Sequence, residues 1–159
     1  LVVARATGFG MSCLGYDPLI PADEIAKRGA KPADLDSLLA QADIITLHVP
    51  LTPETRGIIN AERIAKMKKG SYIVDAARGN VVDEAALLAA LDSGQIAGAA
   101  LDVFAVEPVV DSPLVKHPKT VCTPHIAAQT GEAQERAARD IAEEILTVLR
   151  GETPRWRVA

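Results

Sequence analysis

The sequence predicts an α/β fold: a doubly wound parallel sheet of the dinucleotide-binding, Rossmann type. Three observations lead there. Apolar, β-rich runs alternate with helical runs along the chain, and the apolar runs show no polar face, as strands of a parallel sheet covered on both sides do not. The residues that end these runs are chemically unusual. Asp17, His48, Arg78, Asp102 and His125 each follow a strand, and ligands of such sheets bind beyond the carboxyl ends of the strands.

The elements follow in order. Leu1 to Thr7 are helical, with Gly8 and Gly10 as stops, because glycine accepts the left-handed cap. SCLGYD, Ser12 to Asp17, is a short strand ending in an acid. Residues 18–32 are mixed and allow a short helix around Asp23 to Lys27. Leu35 to Ala42 are helical behind the N-cap Asp34. DIITLHVP, Asp43 to Pro50, is an apolar strand, followed by a loop over Thr52 to Ile59. A short helix spans Ala61 to Met67 and closes on two lysines and Gly70. SYIVDAA, Ser71 to Ala77, is a strand. Asp83 to Ser93 form a helix stopped by Gly94, and AGAALDVF, Ala97 to Phe104, is a strand. A proline-rich loop covers Glu107 to Lys119, TVCTPH (Thr120 to His125) is the last strand, and Gly131 to Arg150 form a long helix. Residues 1–150 read as one nucleotide-binding domain and 151–159 as an exit segment.

Composition narrows the function classes. With 159 residues and 48% hydrophobic content, a single domain with its own core is expected. Few aromatics and a net charge of -4 argue against nucleic acid as a partner. No apolar run is long enough for a membrane span, and the first residues show no signal-peptide pattern. The two cysteines, Cys13 and Cys122, fall in strands and read as buried free thiols of a reducing, cytoplasmic compartment. No Cys/His spacing suggests a metal.

The residues after the strands each have a plain and a chemical reading. Asp17 is either a turn aspartate before Pro18 or the acid that accepts the adenosine ribose hydroxyls. Arg78 either pairs on the surface with Asp83 or Glu84, or grips a ligand carboxylate bidentately. His125 is either a satisfied structural histidine or a proton carrier. Glu107 is a loop acid or the partner that fixes the tautomer of His125. His48, Val49 and Pro50 suit the wall of an adenine pocket. The glycine fingerprint of dinucleotide sites is not found: GFG at Gly8 to Gly10 follows a helix, precedes a strand, and has Cys13 at the third glycine position. LVVARAT starts without an N-cap. The expectation is a partial chain, lacking the first strand and the glycine loop of its domain. In the order 3-2-1-4-5-6 that strand is central, so its loss leaves a gap between its neighbours.

Five ordered segments together resemble the D-isomer-specific 2-hydroxyacid dehydrogenase family, which includes phosphoglycerate, glyoxylate and hydroxypyruvate enzymes. They are LVVARATGFGMSCLGYDP, HVPLTPETRGIIN, DAARGNVVDEAALLAALDSGQ, IAGAALDVFAVEP and CTPHIAAQT. The resemblance is phosphoglycerate dehydrogenase-like and runs nearly from Leu1 to Ala159. It implies an NAD-dependent oxidoreductase of 2-hydroxy acids. Arg78 would bind the substrate carboxylate, and Glu107 and His125 would be the acid–base pair. Asp17 would take the ribose, and Asp102 would lie near the nicotinamide carboxamide. Pro50, Thr52, Ala76, Ala77 and Ala127 would fall in cofactor-lining segments. It also implies a homodimer when intact, with a substrate domain outside this chain. Three positions depart from the pattern: Asn80, Ala127 and Ala128 stand where many members have glycine. A formate-type dehydrogenase would carry glutamine in place of Glu107. A non-catalytic NAD-sensing scaffold of the corepressor type would keep the same Arg, Glu and His.

Overall fold

The computed structural model describes residues 1–156; the end of the exit segment expected over 151–159 lies outside the described residues. The chain divides into two compact units, Leu1 to Thr123 and the segment from Pro124 onward.

In the first unit, α1 (Val2–Gly8) leads to β1 (Leu14–Gly15), α2 (Ala22–Lys27) and β2 (Lys31–Pro32). Then α3 (Leu35–Gln41), β3 (Ile44–Leu47), α4 (Ala61–Lys66), β4 (Ser71–Asp75), α5 (Glu84–Ser93), β5 (Ile96–Leu101), α6 (Pro113–Lys116) and β6 (Thr120–Cys122) follow. All strand pairings are parallel. They form two sheets: β1 with β2, and a second in the order β3-β4-β5-β6. Pairing is interrupted between β1 and β3, which are the neighbours of the central strand in the order anticipated from the sequence.

The helices begin where polar side chains satisfy their first N–H groups. Asp34 accepts from Ser37 N–H, Asn60 from Arg63 N–H and Asp83 from Ala86 N–H, at 2.8, 3.0 and 3.0 Å. Gly94 stops α5 in the left-handed conformation at φ 74°. Gln95 then ties α4 to the start of β5, donating through Nε2 to Ile64 O and Met67 O. The core lies between the four-stranded sheet and helices α3 to α6. Leu39, Ile64, Leu87, Leu91 and Leu114 meet Ile45, Leu47, Ile73, Ile96 and Leu101 there.

The structure corrects several local expectations. The strands are shorter than their apolar runs, because pairing stops before His48, Ala76, Asp102 and Thr123, leaving these residues in the turns beyond. Lys31–Pro32 pair with β1 despite the proline, which stands at the end of an edge strand where no N–H is required. Pro113 opens a short helix inside the proline-rich loop, capped by Ser112. Burial is one-sided in β3: Ile45 and Leu47 are buried, whereas Ile44 and its register partner Tyr72 are about half exposed. Apolar content alone cannot tell a covered face from an open one. Cys13 and Cys122 are free thiols but only partly buried.

In the second unit, Thr130 caps α7 (Gly131–Leu149) by accepting from Ala133 N–H. Ile141 and Ile145 lie exposed along this helix. No helix of the described residues is long and apolar enough to cross a membrane.

Candidate functional site

The parallel strands of the first unit end in turns held by their own side chains. After β1, Asp17 is half-buried and its Oδ1 accepts from Leu19 N–H at 2.9 Å, closing a tight turn through Pro18. After β3, His48 is exposed with Nε2 3.0 Å from Thr46 Oγ1. Val49 and Pro50 lead into a loop stiffened by Thr55, whose Oγ1 donates to Pro50 O at 2.6 Å and accepts from Thr52 N–H at 2.7 Å. Thr52 is thereby fixed two residues beyond Pro50.

After β4, Ala76 is exposed, Ala77 buried and Arg78 exposed. The turn is built on Asp75, a carboxyl only 3% exposed at the end of an interior strand. Its Oδ1 accepts from Ala77 N–H at 2.9 Å. Burial raises the Asp75 pKa above the ordinary carboxylate range. The N–H groups of Ala77 and Arg78 and the nearby His48 oppose that shift without cancelling it. Arg78 donates through Nη1 to Ala77 O at 2.6 Å. The two acids considered as surface partners for Arg78 have other work: Asp83 caps α5, and Glu84 Oε1 accepts from Ala105 N–H at 2.6 Å.

After β5, Asp102 is buried and accepts from Thr123 Oγ1, while its backbone N–H donates to Asp75 O at 2.9 Å. The following loop carries Glu107, exposed, whose Oε1 accepts from Phe104 N–H at 2.9 Å. This loop is pressed against the Arg78 turn. A Cβ on Gly79 would stand 1.9 Å from Phe104 O, so only glycine permits this approach of two backbones. Asn80 has φ 66°, in the left-handed region, where asparagine is better tolerated than most residues.

The second unit holds His125 and Ala127, both exposed. His125 has φ 55°, a left-handed conformation uncommon for a residue with a side chain.

Within the first unit, then, the sheet edge gathers Arg78 and Glu107 on two loops in direct backbone contact, with Asp102 beneath. Asp75, Gly79 and Thr55 escaped the reading of the sequence, and Glu84 entered it only as a surface partner for Arg78. One signal was available: Asp75 is the lone charged residue of β4. Gly79 and Glu84 act across distances in sequence that no local pattern reports. Among the described residues no cluster of three or more His, Cys, Asp or Glu side chains suits a metal ion.

Comparison with known proteins identifies the lineage. Residues 1–127 match the model of the D-isomer specific 2-hydroxyacid dehydrogenase, NAD binding domain. D-3-phosphoglycerate dehydrogenase of Bacillus subtilis (strain 168) is 48% identical over 150 residues, covering 94% of this chain and 29% of that protein. The enzyme of the same name from Methanocaldococcus jannaschii is 51% identical over 152 residues, covering 95% and 29%. The chain thus spans about three-tenths of the length of these relatives. A glyoxylate reductase structure from Paecilomyes thermophila superposes with a TM-score of 0.89 at 38% identity, covering 95% of this chain and 46% of that one. A D-lactate dehydrogenase from Aquifex aeolicus, complexed with NAD and lactic acid, gives 0.82 at 34% identity, covering 95% and 50%. NAD is the cofactor of the matched domain, and the chain belongs to the D-isomer specific 2-hydroxyacid dehydrogenase family, within its NAD binding domain.

Proposed function

We propose that this chain is the nucleotide-binding part of an NAD-dependent enzyme that interconverts a D-2-hydroxy acid and its 2-oxo acid. The observation that carries the proposal is the exposed Arg78 at the end of an interior strand, with the neighbouring carboxylates of Asp83 and Glu84 engaged elsewhere. A guanidinium so presented offers planar, paired donors to a carboxylate.

The donor set suits NAD. Asp17 follows β1 with a carboxylate able to take the ribose hydroxyls, and no cation follows between Pro18 and Asp23 to welcome a 2'-phosphate. Val49, Pro50, Ala76 and Ala77 offer small or apolar walls, with His48, Thr52 and Ala127 as further lining. Asp102 supplies an acceptor for the carboxamide. When bound, the nicotinamide takes or gives the hydride at substrate C2. Arg78 holds the substrate carboxylate and polarises the C2 oxygen where charge develops. His125 removes the hydroxyl proton in oxidation and returns it in reduction, a role that contributes about 10²–10⁴-fold. Glu107 is the carboxylate member of the acid–base pair. Its carboxylate also supports a hydroxy-acid reading over a formate-type one, because formate oxidation releases no hydroxyl proton.

The relatives' names make 3-phosphoglycerate the first acid to test. The assay is NADH formation by the full-length protein across a panel of 2-hydroxy acids, with NADH consumption on the matching 2-oxo acids. Absence of turnover on every acid, with NAD still bound, would favour the corepressor-type scaffold. We further infer a cytoplasmic homodimer when the protein is intact; a monomer by light scattering would overturn the dimer.

A further inference from the structure

We propose that Asp75 is a positioning residue for Arg78: its buried carboxylate holds the turn from which the guanidinium meets a substrate carboxylate. The inference rests on the reading of Arg78 given above. Asp75 lies at the end of β4 in register with Leu47 of β3 and Leu101 of β5, both apolar and buried. An acid there is out of keeping with its neighbours. Its Oδ1 receives the Ala77 N–H at 2.9 Å, and the Arg78 N–H also favours its ionised form. Arg78 Nη1 then returns to Ala77 O, so carboxylate, turn and guanidinium form one short chain of hydrogen bonds. The groups facing Asp75 are His48 beyond β3, Arg78 on its own turn, and Asp102 beyond β5, whose N–H donates to Asp75 O.

A bond to an ionised acceptor is about twice as strong as one to a neutral acceptor. Protonation of Asp75 therefore loosens the Ala77–Arg78 turn. Burial raises the pKa of this carboxyl, bringing that loosening closer to neutral pH than for an ordinary aspartate. Asparagine at this position would keep an acceptor for Ala77 N–H but could not titrate.

The test compares Asp75→Ala, Asp75→Asn and Arg78→Lys in the full-length protein. Oxalate, a dicarboxylate stand-in for a 2-oxo acid, is titrated into the NADH-loaded protein, and KM and kcat are measured in parallel. Asp75→Ala is expected to weaken oxalate binding about 10-fold, with the loss falling more on KM than on kcat. Asp75→Asn is expected to stay within about 3-fold of wild type at neutral pH. As pH falls, wild type should lose affinity toward the Asp75→Asn level while the variant changes less. Arg78→Lys weakening oxalate while Asp75→Ala leaves it within about 2-fold would overturn the proposal and spare the reading of Arg78. Arg78→Lys leaving oxalate binding intact would overturn that reading and this proposal with it. If Asp75→Ala does not fold, Asp75→Asn decides: a pH profile parallel to wild type overturns the proposal.

Discussion

Gly79→Ala is a single methyl placed where two functional loops touch. The added Cβ would stand 1.9 Å from Phe104 O, 2.5 Å from Phe104 C and 3.1 Å from Ala105 N. A carbon–oxygen contact normally settles near 3.3 Å, so the loops must separate by about 1.4 Å. Nothing soft absorbs this, because the obstruction is backbone. The obstructing segment is also pinned: Phe104 N–H donates to Glu107 Oε1, and Ala105 N–H to Glu84 Oε1. Movement of Phe104 therefore carries Glu107 away from Arg78. Overpacking of this kind costs about 1–3 kcal/mol, and a misplacement of about 1 Å costs about 10²-fold in rate. Gly79→Ala in the full-length protein should lower kcat/KM about 100-fold and lower the melting temperature. Gly94→Ala is the control. Gly94 has φ 74° and no atom within 4 Å of its would-be Cβ, so alanine there meets only backbone strain of about 1 kcal/mol, with kinetics unchanged. Wild-type kcat/KM in Gly79→Ala would refute the claim that this contact sets the relation between Arg78 and Glu107.

Further outcomes can be checked in the same protein. NADH should be turned over in preference to NADPH, because Asp17 repels a 2'-phosphate; equal or better rates with NADPH would remove Asp17 from the ribose. His125→Ala should depress both directions of the reaction, and Glu107→Gln should lower kcat/KM on hydroxy and oxo acids alike. An unchanged kcat/KM in Glu107→Gln would leave Glu107 a loop acid. Asp75→Asn should raise stability near neutral pH. A carboxyl whose pKa is raised on folding binds its proton more tightly in the folded state. Wild type therefore loses stability as pH rises from the unfolded value through the folded one, and the variant's advantage should vanish on acidification. Urea midpoints of variant and wild type at several pH values measure this, and a constant difference would contradict it. Asn60→Ala should cost about 1 kcal/mol by removing the cap on α4, read as a lower urea midpoint with m unchanged.

The fold was legible because its signals are local. Asp34 announces a helix start within three residues of the bond it makes, and Gly94 announces a stop. Apolar runs flanked by such signals identify strands, and their alternation with helices implies parallel pairing. What the sequence hid is what depends on distant partners. Glu84 looked like a neighbour for Arg78 six residues away, yet it bonds Ala105, twenty-one residues on. The open face of β3 cannot be read from Ile44, because isoleucine is equally at home on a covered face. Pro32 argues against a strand at β2 until its edge position is known.

The same contrast separates the two kinds of acid at the sheet edge. Asp34 and Asp83 sit at exposed helix starts, where an acid stabilises the fold. Asp75 and Asp102 are buried between apolar strands. For Asp75 burial raises the pKa, so the ionised form is held against an opposing desolvation cost. Stability alone would favour a neutral side chain of the same shape there. An acid kept in such a place, three residues before an exposed arginine and bonded to the turn between them, is better accounted for by the aim of that arginine than by the strength of the fold. Asp102 obeys the same geometry one strand over: its backbone ties to Asp75 and its carboxylate to Thr123, the last residue of the first unit and two residues before His125. Buried acids at and just beyond the ends of β4 and β5 thus order the turns that follow these strands within the first unit.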